Sequence, residues 1–301
     1  MRILKWLGIA VGAVLACALV FACWATFRTW RVSHRTWPVT VRTVPIPTDS
    51  ASLARGEHLV KAVGKCTDCH GADLSGGPVL SDAMFARLNA PNLTRGQGGA
   101  GARFTSDVEW VSAIRHGING RREALAIMPA EAFQYMSDSD LGAVISYVKS
   151  VPAVDRTWPT RRFGPIATVL IALNKLPLFP AATVNHTREG MTFPAQDTTA
   201  AYGHYLADIG GCTACHNQAM SGGGPGGPPG SPPPRNLTMG GIPQWTEADF
   251  VRALREGRTP DGRELNNDFM PWRSSGLMTD AEIHAVWLRL RSLPAKQLGE
   301  Q

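Results

Sequence analysis

Apolar and polar residues change their spacing along this chain, and each change predicts an element. From Leu7 to Phe27 no residue is charged and most are apolar, whereas Lys5 and Arg28 bracket the run. A stretch of that length crosses the hydrocarbon core of a bilayer as one helix, so residues 1–36 are expected to form an N-terminal transmembrane anchor. A cleaved signal peptide is the alternative, but it would have a shorter apolar core and a small-x-small site, and none follows Phe21. Past the anchor the spacing becomes that of half-buried helices. Apolar residues recur three and four apart at Leu141, Val144, Ile145 and Val148, and again at Ile283, Val286, Trp287 and Leu290. Pro152 and Pro294 should stop these helices.

The two stripes belong to a repeat with a period of about 145 residues. Met136-Ser137-Asp138-Ser139-Asp140 parallels Met278-Thr279-Asp280-Ala281-Glu282, where Thr279 and Glu282 fit a capping box. Upstream, Ala54-Arg55-Gly56 parallels Ala201-Tyr202-Gly203, and Pro91-Asn92-Leu93-Thr94 parallels Arg235-Asn236-Leu237-Thr238. Thr105 and Thr246 are expected N-caps of matched helices that end near Gly117 and Gly257. The expected fold is therefore all-α, with one helical domain at 37–156, a second at 196–301 and a linker at 157–195. Val169 to Leu173 in that linker is too short for a second span and is expected to pack. Ser221 to Pro234, nearly all Gly and Pro, reads as a loop.

Each copy holds one chemical motif: Cys66-Thr67-Asp68-Cys69-His70 in the first and Cys212-Thr213-Ala214-Cys215-His216 in the second. Two thiols three positions apart can each form a thioether to a haem vinyl group, and the adjoining histidine then lies under the iron. A zinc knuckle would need further Cys or His ligands nearby, and a redox pair would need a βαβ setting; neither pattern is visible. The implied cofactors are two covalently bound haem c groups. The other cysteines, Cys17 and Cys23, lie inside the anchor.

A sixth iron ligand decides between electron transfer and ligand chemistry. Met128-Pro129 and Met270-Pro271 lie 58 and 54 residues after His70 and His216, and the proline would fix each loop. Met136 and Met278 compete, but each precedes a helix N-cap and suits a hydrophobic staple onto Leu141 or Ile283. The metal ligands are thus expected to be His70 with Met128 and His216 with Met270. Arg115 and Arg255 match between the copies and could pair with a haem propionate or lie on a solvated helix face. His58, His116, His186, His204 and His284 lack matched partners and are expected to be solvated or packed.

The net charge of +6 suggests an acidic partner, but its distribution argues against nucleic acid. It is +5 over residues 1–36 and +3 over 157–195, against 0 over 37–156 and -2 over 196–301. The excess lies in the segments expected beside a membrane, where headgroups attract it.

From about residue 50 to 301, the Cys-x-x-Cys-His motifs, the Asn-Leu-Thr turns, the helices ending at Gly117 and Gly257 and the Met-Pro loops resemble the cytochrome c subunits of membrane-associated alcohol, gluconate and aldehyde dehydrogenases. The resemblance implies two tandem class I cytochrome c domains behind a transmembrane helix, held in the bacterial inner membrane and facing the periplasm. It implies electron transfer from a periplasmic partner dehydrogenase toward the respiratory chain, with a quinone, an oxidase or a soluble cytochrome as acceptor. Many members have three haem motifs and a C-terminal anchor, where this chain has two motifs and an N-terminal apolar run. A di-haem enzyme of the peroxidase or thiosulfate dehydrogenase type is the alternative, and it would need an open iron position. A haem-based sensor would need a signalling domain, which is not visible.

Overall fold

A computed structural model describes residues 2–188, 196–224 and 231–301. The end of the expected linker, 189–195, and part of the Gly/Pro loop, 225–230, lie outside the described residues. Helix α1, Arg2–Ser33, is long and apolar enough to cross a bilayer, and its apolar window has no buried residue. The first copy of the repeat then runs α2, Ser50–His58, which widens into a π-helical turn at Leu59–Val63, and α3, Cys66–His70. Strands β1, Gly77–Ser81, and β2, Ala86–Ala90, follow, then α4, Ala100–Arg103, α5, Asp107–His116, α6, Ala130–Phe133, and α7, Asp138–Ser150. The intervening segment holds β3, Arg162–Phe163, and α8, Pro165–Ala172. The second copy holds α9, Ala200–Ile209, α10, Cys212–His216, α11, Glu247–Glu256, α12, Trp272–Ser275, and α13, Asp280–Ser292.

Of the described residues, 47% are helical and 6% are in strands. The strand content departs from the all-α expectation: β1, β2 and β3 form an antiparallel sheet in the order β1-β2-β3. These strands are short and lack a strict period-two alternation, so hydropathy alone does not reveal them. The described part of the segment between the copies, 157–188, is tied to the first copy through β3, through Trp158 Nε1 donating to the Ser75 carbonyl at 2.9 Å, and through a small core of Ile118, Ala167, Ile171, Phe179 and Ala181.

Helix ends follow the sequence closely. Thr279 and Glu282 form the capping box, as do Thr246 and Asp249. In the first copy the N-cap is Ser106, one residue after Thr105, because Glu109 reaches back to both backbone N–H groups. Helices α7 and α13 end at Ser150 and Ser292, two residues before their prolines, since the residue preceding proline is pushed into extended backbone.

In each copy the entry helix crosses the terminal helix, α2 on α7 and α9 on α13. The crossings are made by glycine. A Cβ at Gly56 would overlap the Ala143 carbonyl oxygen, and one at Gly203 would overlap that of Ala285. The two crossings then pack into one core containing Leu59, Val60, Leu141 and Ile145 from one copy and Tyr205, Ile209, Ile283 and Leu290 from the other.

A buried polar network lies in that contact. Arg55 donates from Nε and Nη2 to the two oxygens of Asp140, each at 3.0 Å, and from Nη1 to Glu282 at 3.1 Å. His58 Nε2 lies 2.6 Å from Glu282, and Tyr205 donates to Asp140 at 2.7 Å. Arg55 and His58 occupy the positions of Tyr202 and Tyr205 in the repeat, so each entry helix reaches the terminal helix of the other copy. Burial works to raise the Glu282 pKa, but His58, the Thr279 backbone N–H and Arg55 overcome it and hold the carboxyl down at about 2. A carboxylate depressed in the folded state contributes its full stability above its ordinary 4.5 and loses it as pH falls toward about 2. Glu282→Gln should therefore flatten the loss of stability across that interval, measured by denaturant titration at stepped pH. An unchanged acid limb would assign it to other carboxylates.

Candidate haem-attachment sites

Each Cys-x-x-Cys-His segment is a single helical turn, α3 or α10, which puts the two cysteines on one face. Left-handed residues open both turns, Lys65 at φ 53° and Gly211 at φ 73°. None of the four cysteines is in a disulfide. Burial pushes the Cys66 thiol up to about 12 and raises Cys69, Cys212 and Cys215 as well. A redox-active Cys-x-x-Cys pair shows the opposite shift, so the thioredoxin-like reading loses support. Among the described residues no group of three His, Cys, Asp or Glu side chains could hold a metal ion, which leaves a zinc knuckle without ligands.

The histidines are the most informative side chains. His70 is buried, and its Nδ1 lies 2.9 Å from the carbonyl oxygen of Pro91; His216 is buried, and its Nδ1 lies 2.8 Å from the carbonyl of Arg235. A carbonyl only accepts, so Nδ1 carries the proton and Nε2 keeps its lone pair. Burial lowers both imidazole pKa values, which favours the neutral ring that a metal requires. An imidazole fixed by its far nitrogen is the usual arrangement of a metal-binding histidine, and the donor set in both copies fits a haem iron.

The accepting carbonyls belong to the Asn-Leu-Thr turns. Asn92 Oδ1 accepts from the Thr94 N–H at 2.9 Å, and its Nδ2 donates to the Val154 carbonyl at 2.7 Å. Asn236 does the same with Thr238 and with the Lys296 carbonyl, at 2.9 and 2.7 Å. The turns thus tie the histidine's acceptor to the chain beyond each terminal helix. Their repetition was visible in the sequence, but their purpose was not.

Met128 and Met270 are half-buried and packed against the core, each just before a proline that begins a short helix, α6 or α12. Met136 and Met278 are buried in the core that also holds Leu141 and Ile283. Arg115 and Arg255 play one structural part in both copies. Arg115 donates to the Met136 carbonyl at 2.9 Å and lies 2.8 Å from Asp138; Arg255 donates to the Gly276 carbonyl and lies 2.7 Å from Asp280. Each guanidinium therefore braces the start of the terminal helix, although among the described residues Arg115 Nε has no acceptor. The remaining histidines have protein neighbours: His58 with Glu282, His116 with His186, His204 with Asp208 and His284 with Glu247.

The two sites adjoin. Lys65, next to Cys66, donates to the carbonyl of Gly210, two residues before Cys212, at 2.6 Å. Ser274 in α12 donates to Asp68 in α3 at 2.5 Å, and α6 packs on α9 and α10. The segment that follows each Met-Pro pair thus lies against the haem-motif region of the other copy.

Residues 51–148 match the family model described as cytochrome c oxidase, cbb3-type, subunit III, so this stretch is a cytochrome c domain, which implies covalently bound haem c. Most of the chain is similar to cytochrome c subunits of dehydrogenases. It is 28% identical over 282 residues to the cytochrome c subunit of alcohol dehydrogenase (quinone) from Gluconacetobacter polyoxogenes, covering 82% of this chain and 57% of that one. It is 27% identical to the fructose dehydrogenase cytochrome subunit of Gluconobacter japonicus, covering 81% and 53%. With the gluconate 2-dehydrogenase cytochrome c subunit of Pantoea cypripedii it shares 26%, covering 84% and 62%. The chain spans somewhat more than half the length of these relatives.

Proposed function

We propose that this chain is a membrane-anchored, periplasm-facing di-haem cytochrome c. It passes single electrons from a quinone-linked dehydrogenase to a downstream acceptor, whether quinone, oxidase or soluble cytochrome, and transforms no substrate itself. The observation that supports this best is the pair of buried histidines with Nδ1 on a backbone carbonyl, repeated in both copies. Cys66 and Cys69 would hold one haem and Cys212 and Cys215 the other. His70 with Met128, and His216 with Met270, would supply the iron ligands. A bound haem supplies reversible one-electron chemistry. What the protein would supply is a neutral imidazole aimed by its turn, from His70 or His216, and the thioether of Met128 or Met270 as a second ligand, which would leave no ligand site open to a substrate. Relatives named as subunits of alcohol, fructose and gluconate dehydrogenases support the dehydrogenase partner. The adjoining sites, with Lys65 of one motif bonded beside the other, support transfer between the haems inside one chain.

The purified protein should show a mass increased by two haems, and the double replacement Cys212→Ala with Cys215→Ala should leave one. Met128→Ala and Met270→Ala should each remove one of two sulfur-to-iron charge-transfer contributions, while Met136→Ala and Met278→Ala should lower stability and leave the band. One haem in the wild-type protein would overturn the di-haem reading. Sustained turnover of hydrogen peroxide or thiosulfate without a dehydrogenase would move the chain to the enzyme class.

A further inference from the structure

The anchor does not leave the membrane alone. The uncharged stretch of α1, Leu7 to Phe27, is about 32 Å long at 1.5 Å per residue, close to the thickness of a hydrocarbon core. The boundary of the bilayer therefore falls near Phe27 and Arg28. Trp24, Phe27 and Trp30 are exposed around that level, as an interfacial aromatic belt requires.

At this level α8 lies against α1. Ala25, Thr29 and Ser33, one turn apart, are the buried residues of α1. Arg161 donates to the Ser33 carbonyl at 2.7 Å, Thr29 to the Thr168 carbonyl at 2.8 Å, and Arg28 to the Ala172 carbonyl at 2.7 Å. As the α1 number falls toward the membrane, the α8 partner number rises. The helices are antiparallel, and the C-terminal end of α8 is the end nearest the bilayer. That end is Leu170-Ile171-Ala172-Leu173, without a charge, followed by Asn174 in the left-handed conformation and then Lys175. Ile171 and Ala172 face protein, whereas Leu173 is 46% exposed.

The two segments that hold the chain's excess positive charge meet here. Arg28, Arg31 and Arg35 come from one and Arg161, Arg162 and Lys175 from the other. We propose that the end of α8, with Leu173 at its tip and Lys175 above it, is seated in the lipid headgroup region beside α1. It would form a second membrane contact that fixes the tilt of the first copy, and with it the height of the Cys66–His70 site. The partner is the bilayer, on three grounds: α8 is hydrogen-bonded to a helix of spanning length, its exposed residue lies at the level of the aromatic belt, and the cations of the two segments complement phosphate headgroups. The inference rests on reading α1 as a membrane anchor.

Its test uses the full chain, with Cys17→Ser and Cys23→Ser, reconstituted into phosphatidylglycerol-containing vesicles. A nitroxide is attached in turn at Val14→Cys, Leu173→Cys and Ile166→Cys, and its collisions with oxygen and with a water-soluble nickel chelate are compared. The label at 14 should meet oxygen and exclude nickel. The label at 173 should favour oxygen several-fold more than the label at 166, which lies at the far end of α8. If 173 is as open to nickel as 166 while 14 stays in lipid, the α8 contact is overturned and the anchor stands. Exclusion of both collision partners at 173 would also overturn it, by showing that protein covers the site. Nickel reaching 14 would instead refute the anchor.

Discussion

Arg55→Ala should destabilise the folded chain by about 3–5 kcal/mol, the usual loss when one member of a buried ion network is removed. Arg55 is the cation between two carboxylates whose side chains are 3% and 5% exposed. Without it, Asp140 keeps the hydroxyl of Tyr205, and Glu282 keeps His58 and its own N-cap bond, but two buried charges then face each other. The damage should reach both copies at once, because Asp140 starts the terminal helix of one and Glu282 that of the other. Denaturant unfolding followed by circular dichroism should show the midpoint falling for the whole molecule. Arg55→Lys, which keeps the charge and loses the two-pronged geometry, should recover part of the difference. A loss below about 1 kcal/mol for Arg55→Ala would mean that water replaces the guanidinium and that the network does not hold the copies together.

Gly203→Ala should cost about 3 kcal/mol or more, at the upper end of overpacking effects. The obstacle is the Ala285 backbone carbonyl and not a side chain that can rotate away, so α9 must move off α13. Gly56→Ala should act in the same way on α2 and α7, against the Ala143 carbonyl. Gly224→Ala is the control, since among the described residues nothing lies within 4 Å of its Cβ position. Because the carbonyl bonded to His216 is held by the turn at Asn236, the second site should loosen as α9 moves away. Its haem should then be attached in lower yield than the one at Cys66, readable from the masses of the intact protein. Equal stability and equal haem content in Gly203→Ala would show that the helices can separate without loss.

Much of this was legible because the chain repeats itself. Two stripes with the same spacing and the same capping residues specify two helices whatever surrounds them, since capping and amphipathic periodicity are local properties. The motifs at Cys66 and Cys212 are equally local, as a thiol pair and its histidine need only one helical turn. The long apolar helix α1 follows from length and hydropathy alone. Tertiary structure decided which atoms those local elements meet. Only the fold brings the carbonyl of Pro91 to His70, 21 residues away in sequence, and so sets which imidazole nitrogen is left for a metal. Arg115 and Arg255, matched in sequence and open to a propionate, are drawn to the starts of α7 and α13, because the fold places acceptors there within reach. Arg55 and Tyr202 occupy equivalent positions yet differ in chemistry, so no local pattern signals that they share Glu282. The β sheet and the pairing of α8 with α1 join segments more than 70 and more than 130 residues apart. Such contacts depend on which surfaces remain after each copy has closed on its own core, and a one-dimensional pattern does not contain that information.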